Sequence, residues 1–401
     1  MSDINNEKKK RLTGLQKTLI CIVSILVALA LVYCTAVFSN IPFIKKWRNI
    51  YIETAMTTGK HQWLATAFIP GYIIDDVMEA AMREQALQEE LESKWEQEEE
   101  TEEEETPPVN KTEEDRFYEK FWEVDKTKLR KYMSDKKISM YDNLLIENLD
   151  DSINITTTFG EKIRVLDSEN NLLIVEVVGE QYKGLLAVIK NPGQVTIAKS
   201  KALGSHGNII TKFAKDNNAL VAINASGFLD EEYKGNGGTV MGSMVLDGVE
   251  YGNPLNELKF FGFKQDNRLY IENYDENTIS EYKWGIQFSP ALIVDGEKYV
   301  QGTFGYGLQP RSAVGQTLNG EFLMLVIDGR QVGHSIGATV NDLAEIMRRH
   351  KSYQAMNLDG GSSSIMNYRG KTISKPSSKN NLGRYLPNAF ICQFASDAEK
   401  N

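Results

Sequence analysis

The run at 357–364 reads Asn-Leu-Asp-Gly-Gly-Ser-Ser-Ser and places a carboxylate, two adjacent glycines and three hydroxyls directly after a strand-like segment. Adjacent glycines let a ligand approach the backbone closely, and the carboxylate and hydroxyls supply hydrogen-bond acceptors and donors. The sequence therefore predicts a ligand-binding loop, with a flexible surface turn as the alternative.

Two common motifs are excluded by the order of residues in this loop. A P-loop requires Gly-Lys-Ser/Thr after its glycines, and a nucleophile elbow requires Gly-x-Ser-x-Gly. The run at 357–364 contains neither pattern. A serine-hydrolase site built from Ser362 or Ser363 with His334 and Asp328 is a minor alternative.

Three further strand ends carry polar residues beside glycine. Asp328 follows an apolar run and precedes Gly329, Arg311 follows Pro310 at the start of another run, and Asn224 ends the run ALVAIN. The planar fork of an arginine suits a phosphate or a carboxylate. We expect these strand ends and the 357–364 loop to line a common cleft.

Histidines and cysteines give little support for a metal site. No Cys/His cluster has zinc spacing, and no EF-hand loop supports a hard cation at Asp328 or Asp359. We therefore expect no metal and no cofactor, and a hard cation bound by Asp328 or Asp359 stays an open alternative. His334 is the histidine nearest in sequence to the site loops, and both an acid–base role and an ordinary exposed role fit it.

The elements that must position these loops are short β-type runs separated by Gly and Asn. Asp247-Gly248 and Asn319-Gly320 accept the positive φ of type I′ hairpin turns. Helices are few, one within 205–217 and one at 339–350, where Thr339 and Asp342 form a capping box. The sequence predicts a strand-dominated, mixed α+β domain over 154–401. Its clearest strand candidates are NLLIVEVVG, KGLLAVIK, ALVAIN, ELKFFGF and EFLMLVID.

The N-terminal part contains an uncharged segment, 18–44, that is long enough for a transmembrane helix. A cleaved signal peptide and a buried core helix are the alternatives. Five basic residues precede the span and three follow it closely, which predicts an N-terminus inside and a C-terminal domain outside the cytoplasm. Cys392 is the one cysteine beyond the span, which suits a bacterial cell-surface protein better than a disulfide-built secreted eukaryotic domain.

The formal charge of −10 is distributed unevenly. Residues 79–115 hold 16 acidic and three basic residues, a local charge of −13, which leaves +3 for the rest. We expect a solvated acidic stalk there, and no nucleic-acid partner. The expected organisation is a cytoplasmic basic tail (1–17), a transmembrane anchor (18–44), a membrane-proximal segment (45–78), the acidic stalk (79–115), a capping segment (116–153) and the α+β domain (154–401).

Across about 219–390 the sequence resembles the phosphodiester glycosidases, typified by the enzyme that removes N-acetylglucosamine from a sugar phosphodiester. Two departures stand out: Asn-Ala-Ser-Gly-Phe at 224–228 where the family has N-G-G-F-F, and Ser362 where it has a third glycine. The residues that carry the resemblance, in order, are INASGF, GNGGTVMG, FSPALIVDGE, PRSAVG, VIDGR, TVNDLAEIM, NLDGGSSSIM and RYLPNA.

The resemblance implies hydrolysis of the bond between an anomeric carbon and a phosphodiester oxygen in a cell-envelope or exopolysaccharide glycan. A non-catalytic carbohydrate-binding or assembly protein of exopolysaccharide biosynthesis is the alternative. The implied partner is a glycan phosphodiester, and the oligomeric state is open. The implied catalytic carboxylates are Asp359 and Asp328. Arg311 is the implied phosphate ligand, and Arg384 is a second phosphate candidate with a salt bridge as its alternative. The other implied binding residues are Asn224, Phe228, Asn357, Gly360, Gly361, Ser362 and Ser363.

Overall fold

The structure is a computed structural model of the chain. It describes residues 13–58, 61–95, 111–141, 143–230, 235–378, 380 and 382–396. The basic cluster within 1–12 and the acidic run at 96–110 lie outside the described residues. The chain divides into two compact units, Met1–Val77 and Met78–Asn401.

The first helix is the longest, and the helices between 111 and 396 have at most 11 residues. The described residues form α1 (Gly14–Phe38), α2 (Pro42–Thr57), α3 (Trp63–Thr66), α4 (Gly71–Ala86), α5 (Glu113–Lys120), α6 (Lys126–Lys136), α7 (Ile210–Asp216) and α8 (Val340–Arg349).

Helix α1 is long and apolar enough to cross a membrane, by length and composition. It begins at a capping box between Thr13 and Gln16. The predicted span of 18–44 is too long as a single element, because α1 ends at Phe38 and Pro42 starts α2 at the position where proline is tolerated. The segment that follows is helical, and Arg48 ties it back by donating to the carbonyl of Val37 at 2.8 Å.

Three sheets form the second unit. Their strands are β1 (Leu145–Glu147), β2 (Lys162–Asp167), β3 (Leu172–Val178), β4 (Lys183–Ile189), β5 (Val195–Lys199), β6 (Ala219–Asn224), β7 (Ser243–Leu246), β8 (Val249–Gly252), β9 (Lys259–Lys264), β10 (Leu269–Glu272), β11 (Tyr282–Phe288), β12 (Ala291–Val294), β13 (Glu297–Lys298), β14 (Arg311–Thr317), β15 (Phe322–Ile327), β16 (Ser352–Asn357), β17 (Met366–Tyr368), β18 (Lys371–Thr372) and β19 (Asn388–Gln393).

A nine-stranded sheet is the centre of this unit, in the order β1-β2-β3-β4-β15-β14-β16-β12-β13. Side chains alternate across it, as the period of two in a strand requires. On one face Phe322, Met324 and Val326 pack against two five-stranded sheets, β10-β9-β11-β7-β8 and β18-β17-β6-β19-β5. On the other face Leu323 and Leu325 pack against α5, α6 and α8. The strand-dominated α+β fold predicted from the sequence is confirmed.

The stalk predicted for 79–115 differs from the structure where it approaches the domain. Gln88 is buried and its side-chain amide both donates to and accepts from the backbone of Ala291. Trp95 is buried, and its indole N–H donates to the carbonyl of Leu269 at 3.0 Å. Because a tryptophan buries a large apolar area, this end of the segment is held on the sheets despite its acidic neighbours.

Candidate active site

The loops that follow β15 and β16 lie at the same edge of the nine-stranded sheet as the start of β14. Both strands are antiparallel to β14, with Arg311 opposite Ile327 and Ala313 opposite Asn357. The backbone N–H of Leu358 extends the second ladder by donating to Ser312 at 2.9 Å. The topology therefore brings Asp328 and Asp359, which follow those strands, to the two sides of one strand start.

Pro310 lies between the two glycines that follow these aspartates. A Cβ added at Gly329 would lie 2.7 Å from the Pro310 nitrogen, and one added at Gly360 would lie 2.8 Å from the Pro310 carbonyl oxygen. Neither distance leaves room for a side chain. Both Asp-Gly turns thus need glycine for close packing on the same residue.

Asp359 is partly exposed, is hydrogen-bonded to Ser363 and lies within the electrostatic influence of Arg384. Desolvation by the surrounding protein raises the pKa of Asp359 to about 6, and the hydrogen bond from Ser363 and the charge of Arg384 oppose that rise. The nearby carboxylate of Asp230 adds to the rise. Asp359 is therefore a carboxylate that changes charge close to neutral pH.

The buried side chain of Asn224 holds the Asp359 loop in place. It is fully buried, and its amide N–H donates to the carbonyl of Asp359 at 2.7 Å. Its side-chain oxygen accepts from the hydroxyl of Ser312 at 2.7 Å and from the backbone of Ile365 at 3.3 Å. These contacts join β6, β14 and the 357–364 loop, so Asn224 positions the loop.

Arg384 presents a cation beside Asp359. Its guanidinium donates to Asp230 at 2.9 Å and lies 4.9 Å from the centre of the Phe228 ring. A second N–H reaches the carbonyl of Gly235 at 3.3 Å. Phe228 and Arg384, which were each predicted to bind substrate, are therefore neighbours, and the salt bridge given as the alternative role of Arg384 is present.

Asp328 has different neighbours. It is buried, one carboxylate oxygen is 2.8 Å from Nε2 of His334, and the other accepts the backbone N–H of Lys375 at 2.8 Å. Burial raises the pKa of Asp328, while the contacts from His334 and Lys375 oppose the rise. Asp328 and His334 also line a cavity of about 540 Å³.

Arg311 lies on the other face of the sheet from Asn224. Its neighbour Ser312 points towards Asn224, and alternation along β14 sends Arg311 the opposite way. There it is buried and donates to the carbonyls of Ala338, Tyr306 and Gly307. A phosphate role for Arg311 stays a prediction, and its donors are engaged with the backbone.

The remaining residues of the predicted loop have mixed surroundings. Asn357 is buried and donates to the carbonyl of Ser289 at 2.8 Å, so it supports the loop from behind. Ser362, Gly360 and Gly361 are partly exposed. Of the residues in the serine-hydrolase alternative, His334 and Asp328 are in contact, whereas the hydroxyl of Ser363 is hydrogen-bonded to Asp359.

Two residues that the sequence analysis did not select belong to the site. Arg330 has a left-handed backbone, with φ of 60°, and its guanidinium lies 3.2 Å from where a Cβ of Gly361 would be. Two of its N–H groups donate to the side-chain oxygen of Gln309, at 3.1 and 2.6 Å. Asp230 pairs with Arg384. Arg330 could have been selected from the sequence, because it is the third residue of the Asp-Gly-Arg motif that follows β15.

The residues at 224–228 that depart from the family pattern, Ala225 and Ser226, are buried. Ala225 is fully buried, and Ser226 is buried and contacts the side chain of Asn388 through both its backbone N–H and its hydroxyl. These side chains tie β6 to β19.

The edge of the nine-stranded sheet thus carries a carboxylate with a raised pKa, Asp359, and a second buried carboxylate, Asp328, with the arginines Arg384 and Arg330 near the Asp359 loop. Residues 217–393 match the model of the phosphodiester glycosidase family. The resemblance predicted from the sequence is confirmed.

Several known proteins are similar to this chain. The SPbeta prophage-derived uncharacterized protein YomE of Bacillus subtilis (strain 168) is 26% identical over 181 residues, which cover 41% of this chain and 27% of that protein. The chain thus spans about a quarter of that relative's length.

Among solved structures, the zebrafish N-acetylglucosamine-1-phosphodiester alpha-N-acetylglucosaminidase catalytic domain, auto-inhibited by its pro-peptide, matches with a TM-score of 0.45 and 20% identity over 56% of this chain and 83% of that one. A hypothetical protein from Synechocystis matches with a TM-score of 0.42 and 14% identity over 57% and 63% of the two chains. A putative exported protein from Burkholderia pseudomallei K96243 gives 0.40 and 14% over 53% and 74%.

Proposed function

We propose that this chain is a membrane-anchored hydrolase that cleaves the glycosidic bond of a sugar-1-phosphodiester, of the N-acetylglucosamine type, in a cell-envelope or exopolysaccharide glycan. The observation that carries the proposal is Asp359, a carboxylate with a raised pKa beside Arg384 in the part of the chain that matches the phosphodiester glycosidase family.

The proposed roles follow from charge. Breaking the bond leaves positive charge on the anomeric carbon and negative charge on the departing phosphate. Ionised Asp359 acts on the anomeric side, as nucleophile or electrostatic stabiliser, while Arg384 and Arg330 bind the phosphate in place of Arg311. The departing group is a phosphate monoester, which is already anionic and can leave without prior protonation by an acid. The water oxygen then becomes the hydroxyl on the anomeric carbon, and the second carboxylate, Asp328, with His334, takes up the proton that the water loses or contacts neighbouring sugar hydroxyls.

The anchor is proposed from α1. A helix of this length and composition near the N-terminus, with the basic excess before it, is typical of a signal anchor that keeps the N-terminus inside. Protease treatment of intact cells tests the topology. Digestion of the C-terminal domain from outside is expected, and full protection until the cells are lysed would contradict it.

The activity is tested on the full chain in detergent. We expect it to release free sugar from an N-acetylglucosamine-1-phosphodiester and Asp359→Asn to abolish that release. Asp216→Asn, at an exposed aspartate paired with Lys212, is the matched control and should retain activity. Turnover that survives Asp359→Asn would remove Asp359 from the mechanism.

The binding alternative gives a different result in the same assay. A carbohydrate-binding or assembly protein would bind the glycan phosphodiester, measured by calorimetry, and release no sugar even at high protein concentration. Product release by the wild type decides in favour of the hydrolase.

A further inference from the structure

The cavity beside Asp328 has two chemically different walls. One group of lining residues, which we call the paired wall, consists of Asp151, Lys162, Arg164 and Glu176. Their charges are paired with one another: Asp151 binds Lys162 at 2.7 Å and Arg164 at 3.3 Å, and Arg164 also binds Glu176. These groups neutralise one another and present oxygens and N–H groups in fixed positions.

A second group of lining residues, which we call the lysine wall, consists of Lys183, Lys371 and Lys375. Each is exposed to solvent, and none of the three ammonium groups forms a salt bridge within the described part of the chain. The carboxylates of Asp150 and Asp328 also line the cavity, and the charge of Lys375 acts on Asp328. A lysine is a flexible point charge that binds phosphate well.

The backbone fixes two of these lysines against Asp328. The N–H of Asp328 donates to the carbonyl of Lys183 at 2.9 Å, and the N–H of Lys375 donates to the Asp328 carboxylate at 2.8 Å. Gln331 adds a third tie by donating to the carbonyl of Lys375 at 2.7 Å. The lysine wall is therefore built onto the turn that packs on Pro310, next to the Asp359 turn.

The size of the cavity indicates more than one phosphate. About 540 Å³ lies within the range of pockets that hold a small organic ligand, and it exceeds the space that a single phosphate group fills. A ligand with hydroxyls for the paired wall and an anion for the lysine wall fits both surfaces.

We propose that this cavity binds the next phosphorylated unit of a polymeric substrate, so that the chain acts on a poly(phosphodiester) with hydroxyl-bearing repeats and not on a single sugar phosphodiester. This inference rests on the proposed function in one respect, because it assumes that the polymer is cleaved at Asp359, next to the cavity. The binding of the polymer itself is independent of cleavage and can be measured without it.

Binding is measured with the full chain and two probes, a short poly(glycerol phosphate) and monomeric glycerol phosphate. The wild type should bind the polymer at least tenfold more tightly, and rising salt should weaken the polymer complex as its ion pairs are screened. Lys371→Gln/Lys375→Gln should weaken polymer binding about tenfold, since two exposed ion pairs of less than 1 kcal/mol each are lost.

The controls separate a pocket from general charge. Lys131→Gln/Lys136→Gln removes two exposed lysines of α6 that do not line the cavity and should bind like the wild type. Lys371→Arg/Lys375→Arg should restore polymer affinity. Equal weakening by the α6 pair, equal affinity for polymer and monomer, or equally tight binding of a DNA oligonucleotide of matched charge would each overturn the proposal.

Kinetics distinguish its failure from that of the proposed function. With a sugar-1-phosphodiester substrate that extends into several phosphate units, Lys371→Gln/Lys375→Gln should raise KM and leave kcat unchanged. If no substrate is cleaved but the lysine pair still controls polymer binding, the hydrolase proposal fails and the cavity assignment stands. If cleavage occurs but KM does not change with the number of phosphate units in the substrate, only the cavity assignment fails.

Discussion

Asp359 and Asp328 occupy equivalent places in the chain and differ in almost everything else. Each follows a buried strand, and each precedes a glycine that packs on Pro310. Asp359 is hydrogen-bonded to Ser363 and lies within the electrostatic influence of Arg384, with a pKa raised to about 6. Asp328 lies against His334 and the backbone of Lys375.

The difference shows that an Asp-Gly turn at a strand end fixes where a carboxylate lies and leaves its chemistry to the partners that other segments bring. Arg384 comes from the chain before β19, and His334 comes from the loop before α8. An arginine holds a permanent charge, whereas a histidine gains or loses its own near neutral pH. The predictions below test whether this division between the two aspartates is functional.

The largest expected effect separates the two carboxylates directly. Asp359→Asn should lower kcat/KM by a factor of about a thousand or more, the scale that a reacting carboxylate supplies. Asp328→Asn should lower it by about tenfold to a hundredfold, because Asp328 is assigned to the weaker proton-handling role. Initial rates with an N-acetylglucosamine-1-phosphodiester measure both, and equal losses would erase the proposed division.

The two arginines predicted to bind phosphate should differ next. Arg384→Gln should lower kcat/KM about a hundredfold and shift the acid limb of the pH profile upward, because the charge of Arg384 lowers the pKa of Asp359. Arg311→Gln should mainly lower Tm, since it loses contacts to three backbone carbonyls. If Arg311→Gln instead has a normal Tm and a raised KM, Arg311 binds the phosphate of the substrate.

The pH dependence should be set by Asp359. If the ionised form is active, kcat/KM falls about tenfold per pH unit below the pKa of about 6 and levels off above it. A profile that instead falls as pH rises through 6 would make Asp359 the general acid. His334→Asn should leave this limb in place, because His334 contacts the other carboxylate.

The glycines test the packing that the two turns share. Gly329→Ala and Gly360→Ala should each destabilise the domain by about 1–3 kcal/mol, because either Cβ meets a backbone atom of Pro310. Gly360→Ala should in addition reduce turnover by displacing Asp359. Gly71→Ala, where a Cβ meets no atom within 4 Å, is the control. Thermal unfolding and initial rates give the two readouts.

The smallest effect is a gain in stability. Since the pKa of Asp359 is raised in the folded state, folding favours its protonated form, and the ionised form costs stability once the pH rises through about 6. Asp359→Asn removes that cost and should raise Tm by about 2 to 4 °C at pH 7.5, the shift expected for about 1 kcal/mol. The gain should vanish near pH 4, where Asp359 is protonated.

Local sequence predicted much of the fold correctly. Apolar runs bounded by Gly and Asn became β3, β4, β6, β9 and β15, because strand pairing buries such runs. The capping box of Thr339 and Asp342 starts α8, and Asp247-Gly248 forms a turn with positive φ at both residues. At Asn319-Gly320 only Gly320 has positive φ, since the loop from β14 to β15 is four residues long.

The site was harder to predict because its partners are distant in sequence. Asp359 could be selected from its own loop, but Arg384 and Asp230 meet only through the folded chain. Arg311 looked suited to phosphate beside Pro310. Whether it or Ser312 faces the second sheet depends on the register of β14, which the sequence does not specify.

The sequence by itself determined the long apolar N-terminal helix, the strand-rich domain, the resemblance to the phosphodiester glycosidases and the two Asp-Gly turns, because each depends on residues that are neighbours along the chain. The tertiary structure decided which cation each aspartate meets, which face each side chain of β14 takes and how residues 88–95 lie on the sheets. Those outcomes depend on contacts between distant segments, and burial among them is what raises the pKa of Asp359.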